Sequence, residues 1–468
     1  MEYSTITNKA APFERPFAPS MGSERRARAR ARARAGAAGG FLLPLPLPLP
    51  PPLLLLLLPL LLRAAAAATT RYTSGSGWIP TGGGGDVGTL PSGTSVADGL
   101  AACTASALCL GITFMGTVAG PSNGTLYLKN ASACEAYYPY APSAWASYIK
   151  YSGPCDALAG GAAPCVAAYS PVRALFGAYD GALYTLNRSS DGTTLDVGVA
   201  AGSPGVADAA AHDAFCAGTD CVIQRLFDQS ASGNHLEAAP FNRHKVQPGR
   251  DKPVNASRFP ITLSGGHRAY AMYFDVGMGY RNFANTTGIA TGNDPEVIYA
   301  VIDGTRSNAQ CCFDFGNAES TVGDYGDGTM ESLYFGSNTV WTHGFGEGPW
   351  VGADLENGIF YGANVSNPGN MPLRYPFLLG MLKGATDGFA IKAADATQGK
   401  MQLMFAGPRP SPRYQPMAKQ GGIILGIGGD NSDFAVGTFF EGIMTAGFTT
   451  DEEDEEVHRR VVAAAYGT

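Results

Sequence analysis

Short apolar runs separated by turn residues dominate the chain from about residue 155 onward. Gly, Asn, Asp and Ser interrupt these runs, which is the pattern of strands joined by tight turns. We predict strands at 297–302, 332–335, 358–361, 389–392, 401–405, 422–427 and 437–448. Many short strands without intervening helices indicate a β-sandwich or barrel and not a parallel α/β sheet.

Two helices are predicted within this region. The segment 206–215 is rich in Ala and carries apolar residues at helical spacing. A closing helix is predicted over 451–466, because Thr450 and Glu453 form a capping box and the acidic first turn suits the helix dipole. We interpret the acidic run there as a solvated helix start without a function of its own.

Residues 1–85 do not have the pattern of a folded domain. A basic run at 25–34 precedes a Leu/Pro segment at 41–62 and a small-residue run at 64–68, which is the order of a secretory signal cleaved near 64–68. Repeated prolines argue against a stable membrane span, and the unbroken apolar run 53–58 is too short for one. The alternatives are a Pro-rich tail or a misassigned start of the coding sequence.

A small α+β module is predicted at 86–150, after a Gly/Ser-rich linker at 75–85. A helix is expected at 96–107 and strands at 109–115 and 125–129. The string AACTASALCLGITF followed by LYLK resembles PAN/apple-type modules, in which a helix packs on a small disulfide-bonded sheet. Three cysteines leave one without a partner here, namely one of Cys103, Cys109 and Cys134. The module is either a carbohydrate- or protein-binding appendage or a spacer.

Composition and charge narrow the function classes. A net charge of -7 and a pI near 5.4 give no electrostatic reason to expect nucleic acid as a partner. Six of the nine cysteines form close pairs along the chain, which favours disulfides and an oxidising compartment. Six glycosylation sequons agree with a secreted, extracellular glycoprotein. They are at Asn123, Asn130, Asn187, Asn255, Asn285 and Asn364.

Asp354 and Glu356 form one candidate site, in the Gly-rich and aromatic string GPWVGADLENG. On an extended segment both side chains would lie on one face, with Leu355 on the other. Two carboxylates held so close repel each other. One of them should therefore resist ionisation unless the other binds a ligand or accepts hydrogen bonds. An exposed strand edge is the alternative.

Asp430 forms a second candidate site, in GIGGDN directly after the apolar strand near 422–425. Glycines there let a ligand approach the backbone, although a plain Gly/Asp turn would look the same. A nucleotide-binding loop is rejected because no βαβ context surrounds the glycines.

Cys311 and Cys312 are adjacent, and cysteine parity favours a rare, stiff vicinal disulfide that offers a hard apolar platform to a sugar ring. Separate partners or free thiols are the alternative. The histidines lie far apart without Cys or carboxylate spacing, so we predict no metal and no cofactor.

The region from about Gly153 to the end resembles glycoside hydrolase family 54, the fungal-type α-L-arabinofuranosidases. The strings that carry the resemblance are GPCDALAGGAAPCVAAYS, AFCAGTDC, DQSASGNHL, CCFDFGNAE, LYFGSNTVW, GPWVGADLENG and ILGIGGDNSDFAVGTFFEGIMTAG. It implies an all-β, concanavalin-like sandwich at 152–468 that retains configuration while removing arabinofuranosyl groups from arabinan or arabinoxylan. Many family members continue into a C-terminal β-trefoil that binds arabinose, whereas this chain ends at Thr468, directly after the predicted closing helix.

The resemblance also implies residue roles. Glu356 is expected to be the nucleophile and Asp430 the acid/base, with carboxyl groups ~5 to 5.5 Å apart in a retaining enzyme. The implied substrate-binding residues are Asp354, Asn357, Trp341, Cys311, Cys312 and Gly429. The implied disulfides are Cys155–Cys165, Cys216–Cys221 and Cys311–Cys312.

The predicted protein is therefore a secreted exo-α-L-arabinofuranosidase, expected to be a monomer whose partner is an arabinose-containing poly- or oligosaccharide. A β-xylosidase is the alternative within the same class, because arabinofuranose and xylopyranose share hydroxyl arrangements. A non-catalytic carbohydrate-binding sandwich is the alternative from another class.

Overall fold

A computed structural model describes most of the chain after residue 69. The described residues are 70–76, 79, 86–106, 108–118, 124–130, 145–240, 251–283, 286–323 and 325–467. The predicted signal segment, Cys134 and the sequons at Asn123 and Asn285 lie outside them. The described residues belong to one compact unit spanning 64–468, so the division into a module and a sandwich domain stays a prediction.

The first sheet, nearest the N-terminus, is antiparallel. Its strands, in spatial order, are β1 (Tyr72–Ser76), β5 (Trp145–Lys150), β3 (Gly111–Met115), β4 (Leu126–Lys129) and β2 (Asp86–Leu90).

Helix α1 (Val96–Ala105) packs on this sheet, and a Cys103–Cys109 disulfide joins its last turn to the chain entering β3. The predicted helix and strands are present with ends shifted by one or two residues. Strand β1 lies inside the segment 1–85 that we assigned to the leader and linker. That boundary was wrong, because the folded region begins before residue 86.

Two larger antiparallel sheets follow. The first contains, in order, β18 (Ile359–Phe360), β17 (Trp350–Asp354), β16 (Glu331–Gly336), β15 (Asp314–Ala318), β22 (Gly422–Leu425), β13 (Tyr280–Asn282), β10 (Leu236–Ala238), β9 (Cys221–Leu226), β7 (Tyr184–Arg188) and β8 (Thr194–Val197). The second contains β11 (Phe259–Leu263), β12 (His267–Phe274), β23 (Gly437–Thr445), β14 (Glu296–Ile302), β19 (Leu378–Gly384), β20 (Phe389–Asp395) and β21 (Gln402–Gly407), and β6 (Cys165–Tyr169) also pairs with β23.

The two large sheets pack face to face and bury the main core between them. Phe315 of β15 contacts Phe439 of β23 and the edge of Tyr169 of β6, with ring centroids 5.4 and 6.0 Å apart. Aligned sheets whose inner faces interdigitate in this way form a β-sandwich. The predicted all-β sandwich is confirmed.

Helices α2 (Pro154–Leu158), α3 (Ala209–Phe215) and α4 (Asp451–Val462) flank the sandwich. Helix α3 begins later than predicted because Val206 and Ala207 form isolated β-bridges and Asp208 caps the helix. Helix α4 has the predicted capping box, but it ends early because the chain turns back to pair Gly467 with Thr262. Among the described residues, none of the helices is long and apolar enough to cross a bilayer.

Three disulfides of the sandwich region are those implied by the family resemblance: Cys155–Cys165, Cys216–Cys221 and the vicinal pair Cys311–Cys312.

Candidate active site

Strand alternation places a group of acidic and aromatic side chains on the face of the ten-stranded sheet that points away from the main core. Phe315, Leu333 and Val351 are buried between the sheets. Their neighbours along the strands point the opposite way, since successive strand residues face opposite sides. On that outer face Tyr334 and Trp350 pack against Cys312.

Asp354, the last residue of β17, is buried beside a second carboxyl group. This neighbour is Asp314, the first residue of β15, and the two carboxyl groups influence each other's pKa. Burial, and then the charge of Asp354, raises the pKa of Asp314 well above its usual range. Burial likewise raises the pKa of Asp354 to about 7, against a hydrogen bond from the Glu356 amide. A buried acid beside a second acid resists ionisation, so we expect Asp314 to hold a proton next to Asp354.

Glu356 does not lie on an extended segment, and that expectation was wrong. The strand ends at Asp354, and both Glu356 and Asn357 have left-handed backbone, with φ of 62° and 55°. The Glu356 amide donates to Asp354 Oδ1 over 3.1 Å, which closes the turn. Leu355 does point the other way, into the main core.

Asp430 lies in the loop that leaves β22. Gly426 N donates to Asp314 O over 2.7 Å, so this loop departs from the sheet beside the Asp314–Asp354 pair. Asp430 Oδ1 accepts from Ser432 N over 2.8 Å. The Asp430 side chain is partly exposed, unlike the buried Glu356 and Asp354.

Arg281 of β13 anchors the loop from beneath. Its Nη1 donates to Gly429 O and to Asn431 Oδ1, and its Nη2 donates to Glu319 O and Thr321 O. Burial lowers the pKa of the Arg281 guanidinium to about 10, against the opposite influence of the nearby carboxyl groups.

Gly429 brings the Glu356 carboxyl group against the loop that carries Asp430. A Cβ at this position would stand 2.7 Å from Glu356 Oε2 and even closer to Glu319 Oε2. The Glu356 carboxyl group therefore packs directly on the backbone of the residue that precedes Asp430. Glu356 thus lies beside a loop whose Asp430 is 74 positions further along the chain.

The Cys311–Cys312 disulfide lies between the two acidic segments. Cys312 Sγ is 3.3 Å from Asp354 Oδ2, and Ser432 Oγ is 3.5 Å from Cys311 Sγ. The three groups Cys311, Cys312 and Asp354 are close enough together to surround a metal ion. The sulfurs are bonded to each other, however, and cannot act as thiolate ligands, so this cluster does not fit a metal site.

Trp341 lies in the loop that follows β16. Its side chain is 39% exposed, and its loop is tied towards the disulfide by Asn338 Nδ2, which donates to Ala309 O. Asn357 lies on the other side of Glu356 and lines a cavity of about 510 Å³ with Phe360, Arg413 and Tyr414. The structure therefore brings Glu356, Asp354 and the vicinal disulfide close to the loop of Asp430, while the sugar-binding roles of Trp341 and Asn357 stay predictions.

Sequence reasoning missed three buried residues of the site: Asp314, Glu319 and Arg281. The two acids lie in the string CCFDFGNAE, which carried the family resemblance but was not examined for further carboxyl groups. Arg281 lies in an ordinary strand with no local signal.

The fold and the clustered carboxyl groups are those of a β-sandwich glycoside hydrolase domain. The family model described as "Alpha-L-arabinofuranosidase B, catalytic" matches residues 154–467, and the chain belongs to this family. The resemblance to glycoside hydrolase family 54 is confirmed.

Curated relatives agree with this assignment. The chain is 48% identical over 326 residues to a probable alpha-L-arabinofuranosidase B of Aspergillus fumigatus, covering 68% of this chain and 63% of that protein. It is 47% identical over 326 residues to a protein of Trichoderma koningii named arabinofuranosidase/B-xylosidase, covering 69% and 64%. The match thus spans less than two thirds of the length of these relatives.

A solved structure of an arabinofuranosidase complexed with arabinofuranosyl-alpha-1,2-xylobiose is also similar. It superposes with a TM-score of 0.65 at 45% identity, covering 68% of this chain and 66% of that one.

Proposed function

We propose that this protein is a retaining exo-α-L-arabinofuranosidase that removes terminal arabinofuranosyl groups from arabinan- or arabinoxylan-type polysaccharides. The observation that carries the proposal is the packing of Glu356 Oε2 against Gly429, directly before Asp430 and beside the vicinal disulfide. Two carboxyl groups of different exposure in one pocket are what double displacement requires.

In the proposed mechanism Glu356 attacks the anomeric carbon while Asp430 protonates the departing oxygen. Asp430 then takes a proton from a water molecule as that water attacks the anomeric carbon. The attack breaks the glycosyl ester of Glu356, so Glu356 is again ionised and Asp430 is again protonated. The partial exposure of Asp430 suits an acid/base that must meet both the leaving group and water. Burial of Glu356 suits a nucleophile that must be shielded from water until the ester has formed.

Substrate contacts are proposed for the surrounding groups. Asp354 and Asn357 flank Glu356 and can hydrogen-bond sugar hydroxyls, and Gly429 leaves room for the ring to approach the backbone. The disulfide supplies an apolar floor, and the exposed ring of Trp341 a wall. No cofactor enters this mechanism.

Activity on β-xylosides is a second candidate, favoured by the relative named arabinofuranosidase/B-xylosidase. The same two carboxyl groups would act on a xylopyranosyl ring. Parallel assays with the 4-nitrophenyl α-L-arabinofuranoside and β-D-xyloside separate the two activities.

The test compares wild type, Glu356→Gln and Asp430→Asn on both aryl glycosides and on arabinoxylan oligosaccharides. Glu356→Gln should lose about 10³-fold or more in kcat, because the nucleophile is removed. Asp430→Asn should lose about 10² to 10⁴-fold on arabinoxylan oligosaccharides, whose poor leaving group needs the acid. Glu452→Gln is the control, since Glu452 is exposed in the first turn of helix α4.

Undiminished turnover by Glu356→Gln would refute the nucleophile assignment. Sugar binding without turnover by the wild type would instead support a non-catalytic sandwich. Proton NMR of the first product in methanol should show an α-arabinofuranoside, and a β-product would contradict retention.

We further propose that the protein is a secreted monomer. The disulfides support an oxidising compartment. Size-exclusion chromatography of the culture supernatant tests both statements.

A further inference from the structure

A cleft that the proposed mechanism does not use lies beside the loop of Asp430. Its volume is about 390 Å³, which falls in the range of small-molecule binding sites. Strands β9, β10 and β13 and the chain next to them supply its lining. The lining residues that matter here are Arg225, His235, Glu237, Pro240 and Arg281.

Strand register places this cleft on the same face of the ten-stranded sheet as Asp354. Directly paired residues of neighbouring strands point to the same side of a sheet. One row of such pairs crosses the sheet without a break from β9 to β17. It begins with Arg225, Glu237 and Arg281, passes through β22 and β15, and ends with Ser332 and Asp354. The cleft therefore continues the face that carries the acidic groups.

Two sets of contacts join the cleft to the loop of Asp430. Asn431 Nδ2 donates to Pro240 O over 2.9 Å. Arg281, which lines the cleft, donates through Nη1 to Gly429 O and to Asn431 Oδ1. The residues on both sides of Asp430 in the sequence are thus held by groups that also form the cleft.

The strand order places the cleft and Glu356 on opposite sides of this loop. The loop leaves β22, which lies between β17 and β10 in the sheet. Glu356 follows β17 and packs against Gly429, whereas Pro240 follows β10. In a retaining glycosidase the two carboxyl groups flank the scissile bond, and the acid/base protonates the leaving oxygen. The leaving group must then extend past the acid/base and away from the nucleophile, which is the direction of the cleft.

The polar groups of the cleft suit a neutral ligand that is rich in hydroxyl groups. Arg225 Nε donates to Glu237 Oε1 over 3.0 Å, and Nη2 donates to the same oxygen. Their charges compensate each other, so this pair gives little attraction for an anion. The two side chains are 42% and 49% exposed, and their pairing does not use Arg225 Nη1 or Glu237 Oε2. These groups can donate to and accept from sugar hydroxyls.

His235 adds a further donor to the cleft. Its Nδ1 accepts from Asp228 N over 3.1 Å, so a neutral ring carries its proton on Nε2. Donors and acceptors on one surface are what a sugar hydroxyl requires, because it both gives and takes a hydrogen bond.

We propose that this cleft binds the neutral pentose chain from which the arabinofuranosyl group is released, through Arg225, Glu237 and His235. This inference rests on the proposed function, and it names the part of the substrate beyond the scissile bond. Chains of xylose and chains of arabinose share the required hydroxyl groups, and the experiment separates the two. Such remote contacts raise kcat/KM for the polymer without touching the reacting atoms.

The experiment compares wild type with the double variant Arg225→Ala/Glu237→Ala, which removes both partners and leaves neither charge unpaired. The substrates are 4-nitrophenyl α-L-arabinofuranoside and arabinofuranosyl-substituted xylotetraose and arabinotetraose. Three strand spacings of about 4.8 Å separate β22 from β9, so a nitrophenyl group bound at Asp430 is too short to reach Arg225.

The measured quantity is the ratio of kcat/KM on each oligosaccharide to kcat/KM on the aryl glycoside. In the double variant this ratio should fall by about 10-fold or more for the chain that the cleft binds, the effect of losing a hydrogen bond to a charged group. The matched control is Arg459→Ala/Glu456→Ala, which removes an ion pair of helix α4. A ratio that stays at the wild-type value for both chains, or that falls equally in the control, would overturn the proposal.

A second readout needs no turnover. Unsubstituted xylotetraose and arabinotetraose are titrated calorimetrically into Glu356→Gln, with and without the double substitution. At least one chain should bind, and the double substitution should raise its Kd by about 10-fold or more. An equal Kd in both proteins, or no binding of either chain, would refute the assignment. Absence of wild-type turnover on every glycoside would contradict the proposed function and leave this binding test in force.

Discussion

Gly429→Ala is the substitution that tests most directly whether Glu356 belongs to the pocket of Asp430. The added Cβ would lie 2.7 Å from Glu356 Oε2 and 2.7 Å from Met330 Sδ, and closest of all to Glu319 Oε2. Ordinary contact begins at 3.4 Å, so the Glu356 carboxyl must move by about 0.7 Å. A misplacement of about 1 Å costs about 10²-fold in rate. We therefore expect kcat/KM to fall by about 10- to 100-fold.

The assay is hydrolysis of 4-nitrophenyl α-L-arabinofuranoside, accompanied by thermal unfolding. Overpacking should cost about 1–3 kcal/mol, which leaves the domain folded at assay temperature. Gly160→Ala is the control, because a Cβ there meets nothing within 4 Å and the residue is exposed. A folded Gly429→Ala protein with kcat/KM within threefold of wild type would refute the contact between the two segments.

Four further substitutions probe the groups around the site and the core. Arg281→Met should lower kcat by about 10²-fold by releasing the loop of Asp430, and an unchanged kcat would show that other contacts hold that loop. The Tm of Asp354→Asn minus that of wild type should increase from pH 4 to pH 7, because ionising a buried acid with a raised pKa destabilises the wild type over that range. A difference that does not change with pH would contradict the raised pKa. Cys312→Ser should raise KM more than tenfold without much change in Tm, and an unchanged KM would remove the disulfide from the sugar site. Lys419→Met should lose about 3–5 kcal/mol in urea unfolding, since Lys419 pairs with two buried glutamates, and a loss below 1 kcal/mol would contradict that pairing.

Much of the fold could be read from the sequence because its determinants are local. Apolar runs between turn residues correctly predicted seven strands of the sandwich, although several ends moved by one to three residues. The capping box of Thr450 and Glu453 correctly placed the start of the closing helix. Adjacent cysteines and short cysteine spacings agree with the disulfides that the structure contains.

Local pattern failed where backbone geometry or distant pairing decided the outcome. Period-two reasoning treated Glu356 as part of a strand, whereas its left-handed backbone turns the chain after Asp354. Strand β1 was assigned to the leader and linker, because its pairing with Trp145–Lys150 joins residues 70 to 78 positions apart.

The sequence by itself determined the kind of residues at the site and, through family strings, their roles as hypotheses. Only the tertiary structure decided that Glu319 lies near Glu356, that Asp314 lies beside Asp354, and that Arg281 anchors the loop of Asp430. Each of these contacts joins segments 37 to 150 residues apart. Burial and a hydrogen-bond partner set the charge of a carboxyl group, and both depend on which strands lie side by side.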